Sequence, residues 1–265
     1  MLLLRSLLPN TSLINMAQQR TITAALNDIS ERVSNAHKKY CEQLGRDSPL
    51  PCLVAVSKTK PNEAVEEAYQ ANHRDFGENY VQELVEKSLH FKAAGYEDIR
   101  WHFIGHLQRN KVNNLLGAEN LHVIETVNSV KLADALDKRW QTKQLERKLK
   151  VYAQVNTSGE ENKHGCLPEQ CTELVEHIVN KCPSLHLQGL MTIGSFDHDY
   201  STGPNPDFLA LGKCREDVCA ALKMNVDDLQ LSMGMSNDFE EAIMCGSTTV
   251  RVGSSIFGAR QYKTT

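Results

Sequence analysis

Lys58 follows the apolar run Cys52–Val56 and Ser57, and Thr59, Lys60 and Pro61 break the pattern behind it. A free lysine amine titrates near pH 10.4, so only about four in ten thousand are neutral and nucleophilic at pH 7. Lowering that value by about 3 units requires about 4 kcal/mol of differential stabilisation. Burial and a neighbouring cation can supply it. A lysine so placed suits Schiff-base chemistry. The plainer alternative is a lysine that attracts an anionic ligand or snorkels to solvent, and the strand position alone does not choose. Two later stretches add to the case: "SMGMSNDFEEA" (232–242) and "GSTTVRVGSSIFG" (246–258). Glycine allows close backbone approach, serine brings hydroxyls, and Ser236 is placed to cap a helix whose free N–H groups bind an anion. Asp238, Glu240 and Glu241 in that helix would have to point away from a bound phosphate.

These residues need elements to hold them. From residue 50 onward, short β-rich runs alternate with helix-length amphipathic stretches. The predicted strands are 52–56, 74–76, 100–104, 121–125, 150–156, 186–193, 229–233 and 248–252. Helices are predicted near 129–143, with Leu132, Leu136 and Trp140 on one face, and near 168–181, with Leu174, Val175, Ile178 and Val179. A further helix, 17–44, precedes the first strand. Such alternation predicts a parallel sheet with helices outside, and eight repeats match the size of a (β/α)8 TIM-type barrel. The fold class is α/β: one barrel domain over 17–265 with an extra N-terminal helix. A doubly wound open sheet is the runner-up, but "SKTKP" stands where its glycine-rich turn belongs. Barrel chemistry sits at the C-terminal strand ends, and phosphates bind after strands seven and eight. Closure also makes strands one and eight neighbours, which sets Arg251 beside Lys58. The loop 197–207 reads as surface.

Composition narrows the function classes. The chain has 265 residues, 29 Lys and Arg against 33 Asp and Glu, and a formal net charge of -4. That balance gives no electrostatic reason to expect nucleic acid or an anionic membrane. "ERKLK" (146–150) reads as a solvated helix end. The eight cysteines form no CxxC pair, which favours reduced thiols in an intracellular protein over a disulfide framework. In "HFIGH" the glycine argues for strand and loop, so His102 and His106 are not expected to form a helical metal pair. Residues 1–16 read as a targeting or disordered extension. Arg5, Arg20 and the lack of acids before Asp28 resemble a mitochondrial presequence, whereas Pro9 breaks an amphipathic helix. The expected location is cytoplasmic, with mitochondrial targeting the alternative.

Two ligands fit a barrel with a reactive lysine, an arginine and a phosphate cup. A class I aldolase would join Lys58 to a phosphorylated sugar, with Glu78 the nearest acid/base candidate. Pyridoxal 5′-phosphate would join it through the cofactor's aldehyde, with Arg251 facing the ring nitrogen.

Seven blocks occur in order: "LVAVSKTKP" (53–61), "FGENYVQE" (76–83), "WHFIGHLQRNK" (101–111), "VNTSGEENKHG" (155–165), "GLMTIGSF" (189–196), "LSMGMSNDFEEAI" (231–243) and "GSTTVRVGSSIFG" (246–258). Together they closely resemble the pyridoxal phosphate homeostasis protein family, the single-domain relatives of the alanine racemase barrel, over roughly residues 50–260. The resemblance implies a Schiff base between Lys58 and pyridoxal 5′-phosphate. It implies that Asn79 and Thr192 line the pocket, that Arg251 contacts the pyridine nitrogen and that Ser236, Gly253 and Ser254 bind the phosphate. His102 is implied beneath the ring. In the racemases an additional C-terminal β-domain brings a tyrosine as second base. The sequence runs seven residues past Gly258, so that domain is not expected here. The resemblance therefore implies a carrier that sequesters the cofactor and supplies apo-enzymes, monomeric or weakly dimeric. The alternative is an enzyme, either a racemase-like amino-acid enzyme or a class I aldolase.

Overall fold

A computed structural model describes residues 21–195 and 198–259. Residues 1–20, which hold the expected targeting extension, lie outside the described residues. The strands are β1 (Cys52–Val56), β2 (Asp75–Glu78), β3 (Arg100–Phe103), β4 (Leu121–Val127), β5 (Leu149–Gln154), β6 (Leu185–Met191), β7 (Gln230–Ser232) and β8 (Thr249–Val252). They form a closed parallel barrel in sequence order. The α-helices among the described residues are α1 (Ile22–Leu44), α2 (Asn62–Gln70), α3 (Val81–Ala93), α4 (Val112–Leu115), α5 (Val130–Gln141), α6 (Cys171–Lys181), α7 (Pro206–Leu222), α8 (Phe239–Met244) and α9 (Ser254–Phe257). None is long and apolar enough to cross a membrane.

Closure pairs β1 with β8 so that Val54 lies opposite Arg251 and Cys52 opposite Thr249. Because strand side chains alternate between faces, each strand contributes to two environments. Ile124, Val151, Ala153, Leu190, Leu231 and Val250 join the helices in the main apolar core. Their neighbours Val123, Tyr152 and Met191 form a separate small cluster inside the barrel. The same interior also holds polar groups: Ser232, Glu125, His102 and Arg251 are all buried. The extra helix α1 is capped by Thr21, whose hydroxyl accepts the Ala24 N–H at 3.1 Å. It stops at Gly45, which adopts the left-handed conformation at φ 71°. Its apolar stripe of Leu26, Ile29 and Val33 is buried, and it packs on α8, α9 and α2.

Four local expectations need correction. Val179 is 48% exposed; at about 100° per residue it lies at the edge of the stripe formed by Cys171, Leu174, Val175 and Ile178. The "ERKLK" segment is no helix end: α5 stops at Gln141, and Leu149 and Lys150 already belong to β5. Its residues face water only until the sheet claims the last two. The loop 197–207 is not wholly surface either. Asn205 and Asp207 are buried, Asn205 caps α7, and Asp207 accepts the Ser195 N–H at 2.7 Å. Strand β2 runs on through Gly77 and Glu78, because both neighbours pair with it in parallel register.

Candidate functional site

Lys58 stands on the turn after β1, and charge holds that turn from beneath. The Ser57 hydroxyl donates to Glu78 Oε1 at 2.7 Å. Thr59 takes the left-handed conformation at φ 62°, and its N–H donates to Glu83 Oε1 at 2.6 Å. Lys87 ties these together: its buried ammonium donates to Ser57 O at 2.8 Å, Glu78 Oε1 at 2.7 Å and Glu83 Oε1 at 2.7 Å. All three ammonium protons are thereby used. Burial pushes the Glu78 carboxyl up to about 7, against the pull of Lys87. Glu78 is thus a fixture of the turn, engaged by Ser57 and Lys87.

The turn opens on a cavity of about 310 Å3, lined among others by Lys58, Asn79, Ser236, Arg251, Gly253 and Ser254. The closed barrel brings together these six residues from β1, β2, β7 and β8 and the loops that follow them. The Arg251 guanidinium is buried; it donates to Ser232 Oγ at 2.5 Å and to the Thr192 carbonyl at 2.8 Å. Burial pulls it below its usual value, while Glu125 and Asp238 oppose that pull. Ser236 does not cap α8, whose N-cap is Asp238. Its hydroxyl instead accepts the Gly253 N–H at 3.2 Å, joining the loops after β7 and β8. The acids of α8 divide. Glu240 turns away to Arg32 on α1. Asp238, expected to point away, lines the cavity, where the Met235 N–H donates to it and burial raises its pKa. Lys60, which sequence reasoning passed over, donates to the carbonyls of Phe257, Gly258 and Ala259 at 2.8, 3.0 and 3.0 Å. It fastens the end of α9 to the cavity mouth.

His102 and Thr192 are not in the cavity lining. Thr192 acts one step back: its hydroxyl donates to Val155 O at 2.9 Å while its carbonyl holds Arg251. His102 sits deeper in the barrel, between Glu125 Oε1 at 2.8 Å and Asp75 Oδ1 at 3.2 Å. Burial alone would lower its pKa, but the two carboxylates outweigh burial and raise it.

That shift makes a stability prediction. A histidine raised above its unfolded value of about 6.5 contributes fully below that pH and loses its contribution as pH rises through the folded value. Glu78, raised from an unfolded value near 4.5, has the same sign: its contribution is lost as pH rises toward about 7. Urea midpoints should therefore fall from pH 6 to 8.5, and His102→Gln should flatten the upper part of that slope. A midpoint that rises over this range would refute the assignment.

The donor set suits a phosphorylated aldehyde. The Lys58 amine, the Arg251 guanidinium, the Ser236 and Ser254 hydroxyls and the glycine-preceded start of α9 face one cavity, with Lys60 also in its lining. Asn79 Oδ1 is also buried there with no hydrogen-bond partner among the described residues, and a ligand hydroxyl would satisfy it.

Comparison with known proteins agrees with this geometry. Residues 35–261 match the family model "Alanine racemase, N-terminal domain". A pyridoxal phosphate homeostasis protein from Homo sapiens is 51% identical over 251 residues, spanning 94% of this chain and 90% of its own. A crystal structure of an unknown protein from Bifidobacterium adolescentis superposes with a TM-score of 0.75 at 33% identity, over 89% of this chain and 94% of that one. PipY of Synechococcus elongatus PCC7942, solved with PLP bound, gives a TM-score of 0.68 at 28% identity, over 84% of this chain and all of that one.

Proposed function

Since the chain belongs to the pyridoxal phosphate homeostasis protein family and carries the alanine racemase N-terminal domain, we propose that it binds pyridoxal 5′-phosphate in the 310 Å3 cavity and serves intracellular vitamin B6 homeostasis. It sequesters the reactive aldehyde and supplies it to apo-enzymes. The observation that carries this reading is the convergence of Lys58, Arg251 and the Ser236–Gly253–Ser254 edge on one cavity. Held as a Schiff base on Lys58, the cofactor would supply an electrophilic carbon conjugated to an electron-withdrawing ring. Ser236, Gly253 and Ser254 hold the phosphate, and Asn79 accepts from a ligand hydroxyl. Arg251 faces the ring nitrogen.

Arg251 also limits the chemistry. A guanidinium has donors only and stays charged, so it bonds an unprotonated ring nitrogen and leaves the ring a weak electron sink. The role is therefore a carrier without robust turnover, working as a monomer or weak dimer. The reading extends to a cytoplasmic location, and a fluorescent reporter fused to residues 1–20 tests whether that segment directs import into mitochondria.

The deciding experiment is near-visible absorbance of the purified chain with added pyridoxal phosphate, before and after borohydride, beside Lys58→Ala. The expected result is a yellow band that borohydride bleaches as it fixes the cofactor to Lys58, and that the variant lacks. Loaded protein should then activate an apo-enzyme faster than free cofactor released into solution would. A chain that stays colourless, or amino-acid turnover without any transfer, would overturn the proposal.

A further inference from the structure

One chain of hydrogen bonds crosses the barrel from end to end, and its six members come from five strands. At the cavity end Arg251 donates to Ser232 Oγ at 2.5 Å. A hydroxyl that accepts from arginine has its own proton to give, and Ser232 gives it to Glu125 Oε2 at 2.5 Å. The other oxygen of Glu125 faces His102 Nδ1 at 2.8 Å. His102 Nε2 faces Asp75 Oδ1 at 3.2 Å, and Arg100 closes the chain with two bonds to Asp75, at 2.7 and 2.5 Å. Both imidazole nitrogens meet carboxylate oxygens, so both carry protons and the ring is an imidazolium. The order is guanidinium, carboxylate, imidazolium, carboxylate, guanidinium, with one hydroxyl inserted beside Arg251.

We propose that Glu125, acting through Ser232, is the positioning residue that aims Arg251 at the ring nitrogen of the cofactor. The inference rests on the pyridoxal phosphate reading above. Two nitrogens of the guanidinium are held from the barrel side, one by Ser232 and one by the Thr192 carbonyl. A planar group held at two points has one orientation, which turns its remaining N–H groups toward the cavity that Arg251 lines. Glu125 is fully buried and is the strongest of the negative charges acting on the buried arginine, ahead of Asp238. His102 uses the second oxygen of Glu125 and so stops the carboxylate from rotating. Without this backing, a flexible arginine side chain would be free to turn from the ring nitrogen toward the phosphate.

The test uses the full chain, pyridoxal phosphate labelled with 15N in its ring, and the variants Glu125→Gln and Ser232→Ala. Both variants should still be fixed to the cofactor by borohydride at Lys58. Their ring-nitrogen resonance should leave the wild-type position, and cofactor affinity should fall on the order of tenfold, the size seen when outer-shell partners of a bound group are removed. Ser158→Ala removes a hydroxyl outside the chain and should change neither reading. If Glu125→Gln does not fold, Ser232→Ala decides, since it keeps every charge in place. An unchanged ring-nitrogen resonance in the folded variants would overturn the positioning role, even if affinity fell. A wild-type chain that takes up no cofactor would instead overturn the functional reading, and this inference with it.

Discussion

Replacing Lys87 by methionine is expected to cost about 3 kcal/mol of folding stability at neutral pH, the lower end of what breaking a buried ion pair costs. The ammonium satisfies three acceptors at once: Ser57 O, Glu78 Oε1 and Glu83 Oε1. Methionine fills the space and answers none of them. Glu78 is completely buried, and its Oε2 already has no hydrogen-bond partner among the described residues. The loss is limited because Glu78 can take up a proton, its pKa already standing near 7. The cost should therefore grow with pH by up to about 1.4 kcal/mol per unit and be smallest near pH 5. Urea unfolding of the variant at several pH values checks this. Adding Glu78→Gln to Lys87→Met should recover part of the loss and remove the added pH dependence. A variant within about 1 kcal/mol of the wild type, the scale of an exposed ion pair, would show that the network does not hold the Lys58 turn.

Gly105→Ala should be the second severe change, although it adds only a methyl group. A Cβ at Gly105 would lie 1.9 Å from the carbonyl oxygen of Asn79, which is backbone and cannot swing aside. Gly105 is itself held, since Thr126 Oγ1 donates to its carbonyl at 2.7 Å. The neighbouring Ile104 N–H also donates to Glu78 O at 2.9 Å. The ends of β2 and β3 must part, at a cost of about 3 kcal/mol, the upper end of ordinary overpacking. Asn79 moves with them, so cofactor affinity should fall along with stability. Gly212→Ala is the internal control, since beyond its chain neighbours and its own helix backbone nothing among the described residues lies within 4 Å of an added Cβ there. In the interior of α7 it should stabilise by about 0.5–1 kcal/mol. Equal urea midpoints for Gly105→Ala and the wild type would refute the argument.

The architecture was legible in the sequence because it rests on local patterns. All eight strands formed within a few residues of their predicted places, since a β-rich run between turn residues has little else to do. The errors lie where a local pattern is a poor guide to its surroundings. Val179 continues an apolar spacing, but the neighbouring elements cover only part of that face. Leu149 and Lys150 look like the tail of a charged helix until β4 and β6 pair with them. Ser236 has the right type and position for a helix cap, yet a backbone N–H from the next loop, 17 residues on, claims its hydroxyl first.

Within the cavity the division is similar. By itself the sequence determined the β/α alternation, hence the barrel, the end at which the cavity opens, and the residue types collected there: Lys58, Asn79, Ser236, Arg251, Gly253 and Ser254. Periodicity and turn chemistry act over a few residues, so they can be read from neighbours in the chain. Only the tertiary structure decided what stands behind those residues. It joined Ser232 to Glu125 across 107 residues and Arg251 to Thr192 across 59, set His102 between two carboxylates, and put Lys87 under the Lys58 turn. Strand closure matches such partners by register and depth in the barrel, and a buried charge must find its counterion there, whatever their separation in sequence.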